Sequence, residues 1–136
     1  MNTKRLTILR DALIDFAGNP ENLKFDIAEW FRCPQEKVDP TKAVRGAMRG
    51  ENYCGTAACA LGIAATIPAF RAAGLRFDPC GYPAFRGELT FEAAASFFKI
   101  DIDDSYEIFG GTHYDTGEWN NPLAVADKIT ALLMTA

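Results

Sequence analysis

Asn52-Tyr53-Cys54-Gly55-Thr56-Ala57-Ala58-Cys59-Ala60-Leu61-Gly62 is the stretch on which the reading of this chain turns. A small, turn-prone entry runs into an Ala-rich segment with a thiol on each side of its start, and the pattern predicts a helix over 56–66. Ala57, Ala58, Ala60, Gly62, Ala64 and Ala65 let neighbouring backbones come close, which suits a central helix. The first turn of a helix carries free N–H groups and the positive end of the macrodipole. Such an end binds an anion or lowers a thiol pKa. The plainer alternative is a tightly packed core helix.

Working outward, Asp39-Pro40-Thr41 opens a helix over roughly 41–49, with Arg45 and Arg49 four apart on one face and Gly50 at its end. Upstream, Leu6, Leu9, Leu13 and Phe16 mark an amphipathic helix over 3–17, capped by Thr3 and stopped by Gly18-Asn19-Pro20. Asp26 is placed to cap a short helix whose Ile27, Trp30 and Phe31 face inward. Downstream, Pro68 starts a short turn that Gly74 ends. Residues 75–87 read as a small hairpin with a long turn, bringing Arg76 and Arg86 near one another. Thr90 caps a helix over 91–99 with Phe91, Ala94, Ala95 and Phe98 inside. Asp103 or Asp104 caps the next, which ends at Gly110-Gly111. Residues 112–120 form a polar, aromatic loop. Asn121 caps a last helix with Pro122 in its first turn and Leu123, Ala126, Ile129 and Leu133 toward the core. The whole is an α+β, mainly helical arrangement in a single domain, 1–136.

The bulk properties agree with one core: 136 residues, 49% of them apolar. A net charge of −4 with scattered basic residues argues against non-specific nucleic acid binding, which needs a dense cationic face. The segment after Met1-Asn2-Thr3-Lys4-Arg5 is broken by Arg10, Asp11 and Asp15, so it does not read as a signal peptide. No run reaches transmembrane length. The expectation is a cytoplasmic chain without membrane contact. Its four cysteines, Cys33, Cys54, Cys59 and Cys80, include no C-x-x-C pair. They read as reduced thiols buried as small apolar residues, with no metal site and no cofactor.

Two motifs, Phe25-Asp26-Ile27-x-x-Trp30 and Cys54-Gly55-Thr56-x-x-Cys59-x-x-Gly62, are followed by Phe91…Phe98-Lys99-Ile100 and Tyr106-x-x-Phe109-Gly110. Together they resemble a family of small proteins of bacteria and their phages, over most of residues 25–110. The family's glycine is often followed by an aromatic residue; here Ile63 stands there. The resemblance implies a shared fold and a phage setting, and transfers no catalytic role.

Three constellations carry chemistry. The backbone amides of Gly55, Thr56 and Ala57, with the Thr56 hydroxyl, are placed to cradle a phosphate at the predicted helix start. Arg45, Arg49, Arg76 and Arg86 add cationic contacts, and Tyr53, Tyr82, Tyr114 and Trp119 offer faces for a base. No Walker or Rossmann pattern is present, so capture is expected rather than hydrolysis. Against this, most surface arginines are simply solvated or paired with acids. The second constellation is a thiol nucleophile: Cys54 at the helix start, His113 as the single histidine, and Asp115 as an orienter, in the thiol-then-histidine order of papain-like enzymes. Cys54 precedes Gly-Thr rather than following Gly-Ser, which departs from the papain signature. The third is a protein-interaction surface made of the aromatic loop 112–120 and the acids Asp101, Asp103, Asp104 and Glu107. The favoured reading is a non-enzymatic binding domain that captures a small anionic ligand such as a nucleotide at a helix N-terminus near the 50–57 turn, including Cys54, in a phage setting by sequestering a host signalling nucleotide. The alternative is an interaction or inhibitor module for a host protein, and a Cys-His hydrolase stands third. The small-residue segment 57–65 would equally serve a homodimer.

Overall fold

The computed structural model describes residues 1–35, 37–51, 53 and 55–136. In chain order its elements are α1 (Thr3–Gly18), β1 (Lys24–Phe25), α2 (Pro40–Met48), β2 (Ala57–Ala58), α3 (Ala60–Ala64), α4 (Pro68–Ala72), β3 (Arg76–Phe77), β4 (Pro83–Phe85), β5 (Glu88–Leu89), α5 (Thr90–Phe98), α6 (Ile102–Phe109) and α7 (Pro122–Leu133). Two 3-10 turns, Gly111–His113 and Thr116–Glu118, lie between α6 and α7. The class is α+β and mainly helical, as the periodicity predicts.

Leu6, Leu9, Leu13 and Phe16 form the buried stripe of α1, which packs along α7. Burying each such side chain contributes about 1.5–3 kcal/mol. The core continues through Phe70, Phe85, Phe97 and Phe98, whose rings meet edge to face with centroids 4.9–5.8 Å apart. Several caps sit one or two residues from their expected places. Asn2, not Thr3, caps α1 by accepting from the Arg5 N–H at 3.0 Å. Asp101, not Asp103 or Asp104, caps α6 by accepting from the Asp104 N–H at 2.8 Å. Thr90 caps nothing and starts α5 with a positive φ of 49°. The buried positions of α5 are Ala93, Ala94, Phe97 and Phe98, so its inner face is rotated from the one expected. Asn121 and Pro122 open α7 as predicted, but Leu123 is 43% exposed rather than in the core.

The larger corrections fall on the two motif segments. No helix forms over 26–31. The Asp26 carboxylate accepts from the Ala28 N–H at 3.0 Å, a local bond that competes with helix, and β1 precedes it. The expected helix over 56–66 is also shorter and later. Ala57 and Ala58 form a strand parallel to β1, in the register Lys24↔Ala57 and Phe25↔Ala58. Ala57 exchanges both backbone bonds with Arg32, at 2.7 and 2.9 Å. Only then does α3 begin. Its Gly62 is obligatory, because a Cβ there would run into the Trp30 carbonyl. The two motifs are therefore one structural unit.

The hairpin expected over 75–87 is the first part of an antiparallel meander β3–β4–β5. Arg86 and Gly87 both have positive φ, 52° and 82°, and make the tight two-residue turn into β5. Among the described residues no helix is long and apolar enough to cross a membrane.

Candidate interaction surfaces

The anion cradle expected at residues 55–57 is not assembled. Thr56 is fully buried, its N–H donates to the Tyr53 carbonyl at 3.1 Å, and its hydroxyl donates to Cys33 Sγ at 3.3 Å. The Ala57 N–H is spent on Arg32. Gly55 turns the chain at φ +87° against the Pro34 ring. The helix start lies instead at Cys59, where Sγ accepts from the Gly62 N–H at 3.4 Å inside the core. Burial pushes the Cys59 thiol up to about 12.

The arginines and aromatics named for that site are dispersed. Arg45 is half-buried and reaches the Thr66 carbonyl at 3.5 Å. Arg49 is exposed and pairs with Glu51 at 2.7 Å; that bond raises the guanidinium pKa and lowers the Glu51 carboxyl. Tyr53 lies over Gly46, where a Cβ would strike its ring. Arg76 sits opposite Ala84 and donates to the Arg71 carbonyl at 2.8 Å, while Arg86 is in the turn with its guanidinium over the Phe85 ring at 4.9 Å. The register thus does not set Arg76 and Arg86 side by side on paired strands.

Cys54 lies outside the described residues. His113 finds a different orienter from the one expected: its Nδ1 is 2.9 Å from Glu107, whereas the Asp115 N–H is engaged with Glu118 at 3.2 Å. Among the described cysteines only Cys59 is buried; Cys33 is half-buried and Cys80 exposed. No group of three His, Cys, Asp or Glu among the described residues is placed to hold a metal ion.

The loop 112–120 is not an open aromatic surface. Tyr114 is buried, and its hydroxyl donates to the Ile108 carbonyl at 2.6 Å. Burial, then Glu107 and Glu118, push that phenol well above its ordinary range. Trp119 is half-buried, with Nε1 donating to the Gly111 carbonyl at 3.1 Å. Lys128 clasps this loop to α6: its Nζ reaches Glu107 at 2.8 Å and the His113 carbonyl at 2.6 Å, 3.9 Å above the Tyr114 ring. The Lys128 bond is the main cause that lowers the Glu107 carboxyl.

The start and outer face of α6 are exposed. Ile102 and Tyr106, four apart and so on one face, are 38% and 39% exposed. Tyr106 leans on Phe91 at 4.6 Å, and Phe91 meets Trp30 edge-on at 5.0 Å. This aromatic row leads to an apolar hollow of about 280 Å³ lined by Ile27, Trp30, Phe91, Phe109 and Trp119. Asp101 and Asp103 flank the row exposed. The neighbouring Asp104 carboxyl is raised by partial burial first and then by Asp101 and Asp103. The acids are legible in the sequence; Ile102 and Tyr106 as an uncovered pair are not, although their spacing inside an acid run is the signal that finds them. No family model, no curated protein and no solved structure matches this chain.

Proposed function

We propose that this chain is a non-enzymatic binding domain, an interaction or inhibitor module whose partner is a protein with a basic, amphipathic surface. The observation that carries the reading is the outer face of α6, where Ile102 and Tyr106 are partly exposed among Asp101, Asp103 and Asp104. An apolar pair supplies contact area, and an acidic rim that makes no ion pair among the described residues steers a basic partner and fixes its register. Anion capture, the other reading of a binding domain, asks for free amides at a helix start over 55–57, where the chain is instead turn and strand.

The test is an amide NMR titration with a synthetic Lys/Leu amphipathic peptide at low and high salt. Binding should move the amides of α6 and α5, weaken with salt and disappear in Ile102→Ser/Tyr106→Ala. Unmoved α6 amides, or equal binding by that variant, would overturn the proposal.

A further inference from the structure

We infer that the outer edge of β1 is a docking strand for an extended segment of another polypeptide, one carrying an apolar residue flanked by an acidic residue on one side and a basic residue on the other. In the β1–β2 pair, Lys24 and Asp26 turn their backbone groups to β2. The Lys24 N–H donates to the Thr56 carbonyl at 2.9 Å, and the Asp26 N–H to the Ala58 carbonyl at 3.1 Å. Phe25, between them, turns its own N–H and carbonyl the other way. Among the described residues neither group makes a hydrogen bond. The Phe25 side chain is packed in the core against Phe16, while the residue also borders two surface concavities. One residue further on, the same edge is closed by the Ile27 N–H donating to the Trp119 carbonyl at 2.9 Å.

The open edge lies in a trough. On one side is a polar concavity of about 310 Å³ whose walls include Lys24, Asp26, Thr116 and Asn120. Adjoining it across Phe25 and Asn120 is a concavity of about 360 Å³ lined by the apolar Phe16, Leu23, Pro122 and Leu123. An occupant must offer a donor and an acceptor at strand spacing, which is what a peptide backbone does in strand addition. The side chain paired with Phe25 shares the face of the Phe25 ring and falls toward the apolar concavity. Its two neighbours stand beside Lys24 and Asp26, where opposite charges are favoured. Lys24 makes no ion pair among the described residues, so its charge is free for this use. The inference is independent of the α6 reading, because it uses a different edge and a different partner geometry.

Short peptides centred on Glu-Leu-Lys and on Lys-Leu-Glu, taken to millimolar in an amide NMR titration, test it. One of the two should bind, moving the Phe25 amide proton downfield as its hydrogen bond forms. N-methylation of the central Leu should weaken that peptide about tenfold. Lys24→Glu, an exposed change, should weaken it about two- to fivefold and be compensated by a peptide with Lys in place of Glu. Tyr106→Ala should leave the titration unchanged. A Phe25 amide unmoved by both peptides, equal binding after N-methylation, or loss of binding in Tyr106→Ala would each overturn the proposal.

Discussion

The starts of α3 and α6 are the same local device put to opposite use. Each is capped by a side chain that accepts from the N–H three residues on: Cys59 from Gly62 at 3.4 Å, and Asp101 from Asp104 at 2.8 Å. Around α3 every residue from Thr56 to Thr66 is buried, and the amides leading into it are committed to other chain segments. Around α6 the residues from Asp101 to Asp103 are exposed, and Asp104 is only partly covered. The difference teaches that a helix start offers binding groups only where the fold leaves it uncovered. Small residues, which let backbones approach, are what seal the first one. Acids, which resist burial without partners, are what keep the second one open.

Disturbing the sealed start should have the largest effect. Gly62→Ala must push the Trp30 carbonyl away and with it the joint between the two motif segments. Denaturant unfolding should show a loss of about 3 kcal/mol or more. A stability within about 1 kcal/mol of the parent would show that this joint yields. The open start should respond more mildly: Asp101→Ala removes a cap and should cost about 1 kcal/mol in the same measurement.

The contrast extends to thiol chemistry. With its thiol pushed up to about 12, Cys59 should stay unlabelled by iodoacetamide at pH 8 in the native protein, while the exposed Cys80 is labelled. Labelling of both at similar rates would mean that α3 opens readily.

The smallest effect concerns two acids three apart on α6 whose shifts have opposite sign. The Asp104 carboxyl is raised by partial burial and by Asp101 and Asp103, and the Glu107 carboxyl is lowered first by its bond to Lys128. A raised acid binds its proton more tightly in the folded state, so protonation of Asp104 favours folding as pH falls through its folded pKa toward the unfolded value. A lowered acid does the reverse. Glu107 stabilises fully above its unfolded pKa, and that contribution is lost as pH falls through the folded one. Both side chains are largely solvated, so Asp104→Asn and Glu107→Gln should each change stability at pH 7 by less than about 1 kcal/mol. Their stability differences from the parent should drift in opposite directions as the pH is lowered. Carboxyl NMR titration should place Asp104 above and Glu107 below the ordinary ranges.

The long periodic helices were legible in the sequence because their signal is local. The stripe of α1 and the Asn121-Pro122 entry of α7 need only spacing and capping chemistry. The motif region departs from the expected helix because its structure is decided at a distance. Ala57 and Ala58 have high intrinsic helix propensity, yet Lys24, Asp26 and Arg32 recruit their backbones into pairing that no window around residue 57 contains. The same cause moved the candidate site. Thr56 is expected as a ligand contact only from a helix start that tertiary pairing abolishes, and Tyr114 only from an aromatic loop that Lys128 and the Ile108 carbonyl fold inward. At α6 the acids were visible and the uncovered Ile102–Tyr106 pair was not, since exposure of an apolar residue is a property of what fails to pack on it.

The packing of α1 against α7 has a consequence for biosynthesis. A ribosome delivers Leu6, Leu9, Leu13 and Phe16 long before α7, the helix they pack along. Until α7 clears the exit tunnel, the apolar stripe of α1 lacks the helix it packs along most extensively. The nascent chain therefore exposes the apolar stripe of α1 until α7 has been made, the situation in which holding chaperones act.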